Sequence, residues 1–497
     1  MVKKFGFNAF YVIYMLFCLW IFAAGFTRAE GSFLGNGVMM CVMAAAFGIL
    51  AFVAAKAKEI SEKAFKIAVL LMLCIFYIAV TAFGIVTMTA PVSDLEVLVR
   101  VADHWLKNGN IVDYSYYFTI CKNTLGNGIF IYLMFIPLHM LSIDIRSDMA
   151  ECWGIAVNCL MLLLAVYCLY RIAARVVKNR NFLLLFLFTC CCYIPFYLWA
   201  HRYYSDTLSL PFLPLGVLLY IKARENIGKK KILYALLCGV SLWLGYFIRG
   251  GIVIVLVAVV IFSAFCDKKD FIKTGLCVLI AFAVTMFGWN TYVNNNSWID
   301  YSNKARDDFP LTMWLMYGAH GEGNYSDEDV TLLKSYPDYA SRKAVASEKL
   351  KEYYSQYNLK SYIEFLDLKY GITYGNGLFD TEQYLNNQRH GNFTHYFLLD
   401  GMPFTPLFRY IANGLHFFTV LMAVISGVIN WRKKQWNAPM LMQIILVGNI
   451  IFFSFWETKA RYAFGITPVL LFLTVYSLKE IAEFAAKKIS FKKHIKM

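Results

Sequence analysis

The sequence has no cysteine arrangement suited to a disulfide framework or a zinc site. Most of its 13 cysteines lie inside apolar runs (Cys18, Cys41, Cys74, Cys159, Cys168, Cys190–Cys192, Cys238, Cys277), and no CxxC pair stands beside suitably spaced histidines. The longest polar stretch, 291–404, has no cysteine at all. A glycine-rich loop that would cradle a nucleotide phosphate is missing too, so nucleotide-driven chemistry is not expected. Internal repeats and low-complexity segments are also absent, which argues against the inverted-repeat architecture of many transporters. No third acidic ligand has a compelling spacing. No cofactor is therefore expected and no metal site is assigned, although two acids leave a divalent ion open.

What the chain has in quantity is apolar sequence. Of its 497 residues, 59% are hydrophobic and 17% aromatic, and the mean hydropathy is +0.54. Repeated apolar stretches near 20 residues mark an all-α polytopic membrane protein. The net charge of +15 does not point to nucleic acid, because the basic residues gather in short loops between spans. Such loops face the cytoplasm under the positive-inside rule. Candidate spans are 8–26, 34–55, 67–90, 150–170, 182–199, 206–222, 232–248, 250–265, 272–290, 405–430, 438–456 and 463–480. The loops AKAKEISEKAFK, RIAARVVKNR, KARENIGKKK, CDKKDFIK and WRKKQWN, and the tail KKISFKKHIKM, then share the cytoplasmic side with both termini. The N-terminal apolar run is too long for a cleaved leader, and Arg28 spoils a small-residue cleavage site, so a retained first span is expected. Segment 126–141 would invert every later loop if it crossed, so it is read as an interfacial or re-entrant helix.

This parity leaves 91–149, the HRYYSD turn, the RGG turn, 291–404 and WETKARY on the outside. Segment 291–404 carries fifteen acidic against ten basic residues, the reverse of the basic loops. It reads as a small helical cap on the outer ends of the spans, with Ser326 capping one of its helices. The stretch FWETKARYAFGITP places Glu457, Lys459, Arg461 and Tyr462 between two apolar runs. Charges at the bilayer centre cost roughly 2.5–3.5 kcal/mol each, so such a cluster belongs at a surface, where arginine and lysine hold phosphate. Arg249 stands alone between two spans, and its partner must come from elsewhere in the fold or from a ligand. Asp94 and Glu96 follow Pro91 at the start of an amphipathic surface helix. A carboxylate at an apolar boundary makes a general base, although Asp94 can also be a simple helix cap. His201, Arg202 and Asp206 sit at a tight hairpin, where Asp206 can cap the next span. Lys122 precedes a glycine-containing helix start, a pattern that can hold an anion.

PVSD, YSDTLSLPF, FLDLKYGITYGNGLFD and WETKARYAFGITP occur here in the order seen in bacterial integral-membrane glycosyltransferases. From about residue 67 onward the chain resembles those GT-C fold enzymes, relatives of protein O-mannosyltransferases and aminoarabinose transferases, especially their Gram-positive branch. The resemblance implies four regions: two extra N-terminal spans (1–66), a catalytic membrane core with its first outer loop (67–290), an extracytoplasmic helical domain (291–404), and C-terminal spans with a basic tail (405–497). It further implies that a monosaccharide leaves a polyprenyl phosphate, with inversion, for an acceptor hydroxyl at the outer face of a bacterial cytoplasmic membrane. Membrane lipids and an acceptor of protein, teichoic acid, polysaccharide or lipid type would be the partners. Asp94 matches the family's first-loop carboxylate and Asp206 its second-loop acid. The family often has adjacent acids in the first loop, but Leu95 separates Asp94 from Glu96 here, leaving the base open between them. Lys122, Arg249, Lys459 and Arg461 would bind the donor phosphate, and His201, Arg202, Glu457 and Tyr462 the substrates. A lipid-linked oligosaccharide ligase or polymerase, or a transporter or flippase, are the competing readings.

Overall fold

The computed structural model describes residues 2–266, 268–389 and 391–495. Those residues are overwhelmingly helical, and the extended pairing among them is an isolated bridge between Thr89 and Gln388. Nine helices among them are long and apolar enough to cross a membrane: Gly6–Arg28, Phe33–Lys56, Glu62–Val86, Asp148–Val176, Ser205–Glu225, Gly228–Ile248, Phe271–Asn294, Thr405–Lys433 and Ala438–Phe455. The protein is therefore an all-α, multi-pass membrane protein.

Three of the twelve expected spans take another form. Segment 182–199 is split into Arg180–Cys191 and Ile194–Leu198, because Pro195 cannot continue the first helix. Segment 250–265 opens with a tight turn, Gly250–Ile252, before the helix Val253–Cys266. Segment 463–480 opens with a tight turn, Phe464–Ile466, and continues in the helix Thr467–Ile495, whose apolar first half is buried.

Side-chain contacts sort the connections into two ends. Arg180 and Asn181 bond residues 58–60, Arg175 pairs with Glu225, and both Arg224 and Lys231 pair with Asp270. Trp436 packs on Phe265 and Phe7, Trp431 bonds Asn8, and Lys433 pairs with Glu480. All the basic connections thus meet at one end. At the other end Arg409 pairs with Glu30 and Asp400, and Lys122 pairs with Asp308.

Arg389 settles the parity of 126–141. Its amide donates to the Met88 carbonyl at 2.9 Å, and its guanidinium pairs with Asp148. The segment 89–147 therefore begins and ends at the same end of the bundle. Within it the helix Leu125–Met140 has 16 residues, about 24 Å at 1.5 Å each, short of a full span. It packs on the surface helix Asp94–Asn108 through a shared core containing Leu98, Val101, Ile131 and Phe135. At Gly126 the backbone meets another helix so closely that a Cβ would stand 1.8 Å from the Phe247 carbonyl oxygen.

The cap consists of short helices, among them Thr312–Ala319, Asp327–Lys334, Tyr339–Ser355 and Leu359–Tyr374. Ser326 caps the second through the Asp329 amide. One feature departs from a cap resting on the span ends. The helix Leu359–Tyr374 descends between the first span and Ala438–Phe455, where Tyr370 bonds Ser454 at 2.7 Å and Tyr374 bonds Asn449 at 2.9 Å. Phenol and amide groups matched in this way remove the cost of placing polar residues among spans.

Candidate functional site

Four segments far apart in sequence close on Tyr204. Its hydroxyl donates to Asp94 Oδ2 at 3.1 Å, while Tyr117 donates to Asp94 Oδ1 at 3.2 Å. Asp94 is the first residue of its helix, and Ser93, in a strained left-handed conformation (φ 56°), precedes it without a side-chain cap bond. The Asp94 carboxylate thus faces two phenols and does not cap the helix. Burial, and then Asp94, raise the Tyr204 hydroxyl well above its ordinary pKa, so it stays a proton donor to that carboxylate.

Arg202 forms the floor of the site. It is 1% exposed, and Asn158 and Thr207 hold its turn by donating to the Arg202 carbonyl at 3.3 and 3.0 Å. Its guanidinium stacks on Tyr384 at 3.8 Å and donates to the Val92 carbonyl at 3.4 Å, leaving Nε and Nη1 without partners. Burial lowers its pKa, and Arg461 adds like-charge repulsion. Beside it the Asp206 carboxylate pairs with Arg249, the distant partner that the isolated arginine required. Asp206 therefore serves an ion pair, and its Oδ2 is a further buried atom without a partner.

The Trp456–Tyr462 segment forms the facing wall. Arg461 bonds the Tyr384 hydroxyl at 3.1 Å and stacks with Tyr204 and Tyr462. Its amide donates to Asp380 Oδ2 at 3.1 Å. On a helix Glu457 would stand one turn before Arg461 as a local partner, but the chain is extended at Lys459, and Glu457 pairs with Lys459 at 3.3 Å. Asp380 and Phe379 both have positive φ (60° and 55°), strained for residues with a Cβ and held by the packing around them. Burial raises the Asp380 pKa.

Lys369 supports this wall from behind. It is fully buried, and its ammonium donates to the carbonyls of Gly318, Trp456 and Ser454 at 2.6, 2.9 and 3.2 Å. Burial pulls its pKa down to about 7, while three carbonyls, each needing a proton, favour the charged form. One side chain thus closes the ends of Thr312–Ala319 and Ala438–Phe455 and fixes where the Trp456–Tyr462 segment begins.

Of the residues singled out in the sequence, Asp94, Arg202, Asp206, Arg249, Arg461 and Tyr462 come together. Glu96 does not: it is half exposed and pairs with Arg100 at 3.1 Å, one turn along the helix. Lys122 anchors the cap through Asp308 and the Phe309 carbonyl at 3.3 and 2.6 Å. His201 is buried, and burial, then Arg202, lower its pKa to about 3. Asp380, Tyr384 and Lys369 were not singled out as site residues. Lys369 and Asp380 lie in the FLDLKYGITYGNGLFD motif, and Tyr384 lies just beyond it. Among the described residues, no three His, Cys, Asp or Glu side chains are grouped to hold a metal.

The arrangement joins a cation and an acid through Tyr204, whose ring lies against the Arg202 guanidinium and whose hydroxyl bonds Asp94. The buried cation has spare donors, Nε and Nη1. Among curated proteins none matches the sequence. Among solved structures, the archaeal oligosaccharyltransferase AglB from Archaeoglobus fulgidus, in complex with an inhibitory peptide and a dolichol-phosphate, is similar with a TM-score of 0.47 and 11% identity, over 85% of this chain and 52% of that one. This chain thus spans about half the length of that enzyme. Over residues 7–482 the sequence matches the family described as conserved hypothetical integral membrane protein, and the chain belongs to that family.

Proposed function

We propose that this member of an integral membrane family is a glycosyltransferase, moving a monosaccharide from a polyprenyl phosphate to an acceptor hydroxyl at the outer face of the membrane. The basic end faces the cytoplasm in this reading, and the site lies at the outer end. The observation that carries it is Arg202, a buried guanidinium with two unpartnered nitrogens beside Arg461. A buried charge without hydrogen-bond partners is costly, and an anionic ligand is the natural means of satisfying it. A phosphate on a lipid anchor reaches such a place from the bilayer. The resemblance of four motifs to those of membrane glycosyltransferases supports a sugar as the group transferred.

In the reaction, the acceptor oxygen attacks the anomeric carbon and loses its proton to Asp94. The bond from that carbon to the phosphate oxygen breaks, its electron pair stays on the phosphate, and the configuration inverts. Arg202 and Arg461 stabilise the charge that accumulates on the departing phosphate, in a place shielded from water where fixed cations count most. The Asp206–Arg249 pair keeps a third guanidinium in position. Tyr117 and Tyr204 orient the Asp94 carboxylate toward the acceptor. General-base catalysis contributes about 10²–10⁴-fold. Asp94→Asn in proteoliposomes carrying a radiolabelled polyprenyl-phosphate sugar is expected to lose transfer by that factor while keeping its unfolding temperature. Full activity in that variant would remove the base. Product size separates transfer of one sugar from ligation of an oligosaccharide.

A further inference from the structure

The cap helix Leu359–Tyr374 presents an apolar edge that continues the lipid-facing surface of a span. Ile451 and Phe455 lie one turn apart on Ala438–Phe455 and are 43% and 46% exposed, so they face lipid. Leu359 and Ile363, one turn apart on the cap helix, are 79% and 47% exposed. The two strips meet at a cleft of about 450 Å³ lined by Tyr354, Tyr357, Asn358, Leu359, Tyr362 and Phe455.

The depth of the helix follows from its partners. Asp367 accepts from Trp20 at 3.2 Å and pairs with Arg28 at 3.4 Å. Those residues are eight apart on the first span, about 12 Å. Asn449, which Tyr374 bonds, lies six residues, about 9 Å, before Phe455. The helix therefore enters at the level of the span ends and tilts down into the outer part of the bundle. Lys360 and Glu364, on the neighbouring face, are strongly exposed. Apolar residues toward the chains, charges toward the headgroups and tyrosines at the boundary are the pattern of an interfacial helix.

We propose that the cap docks into the membrane leaflet through Leu359 and Ile363, and that the tyrosine cleft takes the upper acyl chain of a bulk membrane lipid. This does not depend on the catalytic reading. The continuity of the strip with Ile451 and Phe455 favours lipid over a soluble partner, because the same bilayer already covers those two residues. The bilayer is then part of what supports the segment after Tyr374, which carries Asp380 and Tyr384.

The test uses the full chain in vesicles of radiolabelled phospholipid, with the photocrosslinker p-benzoylphenylalanine at Leu359 or Ile363. Both positions are exposed, so the replacement leaves the packing intact. Position Ile451 serves as the lipid-facing control and Lys343, on the exposed cap surface, as the aqueous one. Lipid adducts at 359 and 363 at no less than about half the Ile451 yield, with none at 343, are the expected result. No adduct at 359 and 363 while Ile451 is labelled would overturn the proposal. A chain-to-chain adduct would overturn it in favour of an interface between copies, and suppression by unlabelled polyprenyl phosphate would assign the cleft to that lipid instead.

Discussion

The two ends of the bundle use the same residue types for different work. At the basic end, Arg175 meets Glu225 at 2.9 Å, and Arg224 and Lys231 share Asp270 at 3.2 and 2.9 Å. Each of these cations has a carboxylate in reach and an outlet to water. At the other end Arg202 is walled in by tyrosines with two nitrogens unpartnered, and Lys369 is fully buried with three carbonyls as its hydrogen-bond partners. A charge closed by its own carboxylate is structurally complete. One lacking such a partner either ties backbone ends together, as Lys369 does, or waits for an anion, as Arg202 does in the reading proposed here.

Lys369 gives the largest expected effect on stability. Lys369→Met keeps the length of the side chain but strips three buried carbonyls of their donor, a loss of about 2–4 kcal/mol after the relief of burying the charge. Thermal unfolding in nanodiscs measures it. The same change should raise the KM for the lipid donor, because the Trp456–Tyr462 segment loses its anchor. An unchanged unfolding temperature would mean that the cap junction holds without it.

Arg202→Met and Arg224→Met sharpen the contrast between the ends. The first removes a cation poised for phosphate and should weaken donor binding about 10–100-fold, the scale of one charged hydrogen bond. It also removes a buried charge, so stability should hold or rise. Arg224→Met should leave donor binding untouched and cost at most about 1 kcal/mol of stability, since its pair is partly exposed. Titration with labelled lipid phosphate, set against unfolding temperature, reads both. A loss of stability without loss of binding at Arg202 would reverse its assignment.

Most of the architecture was legible in the sequence because hydropathy and loop charge are local signals. The sorting of basic loops to one end, and the even parity around 126–141, followed from counting. The site was legible in part. Asp94, Arg249 and Arg461 announced themselves as charges next to long apolar runs, where a charge needs a reason. Tyr384 and Asp380 gave no such warning, because their part depends on the descent of Leu359–Tyr374. That helix is too polar to read as membrane-embedded until its tyrosines are matched with Ser454 and Asn449. The pairing of Arg249 with Asp206 was hidden for a similar reason: 43 residues and two helix ends separate them.

Glu96 completes the comparison at the smallest scale, within one helix turn. Asp94 and Glu96 could not be ranked from spacing, since both follow Pro91 at the same surface. The helix turns them about 200° apart, putting Asp94 against Tyr117 and Tyr204 and leaving Glu96 outside with Arg100. An exposed pair of this i,i+4 kind stabilises by about 0.3–0.5 kcal/mol. Glu96→Gln should therefore lower stability by no more than that and leave the rate of sugar transfer and its pH profile as in the parent, whereas Asp94→Asn removes transfer. If Glu96→Gln lost transfer and Asp94→Asn kept it, the catalytic carboxylate would be the outer one, and the two phenols on Asp94 would serve only to hold the surface helix against the bundle.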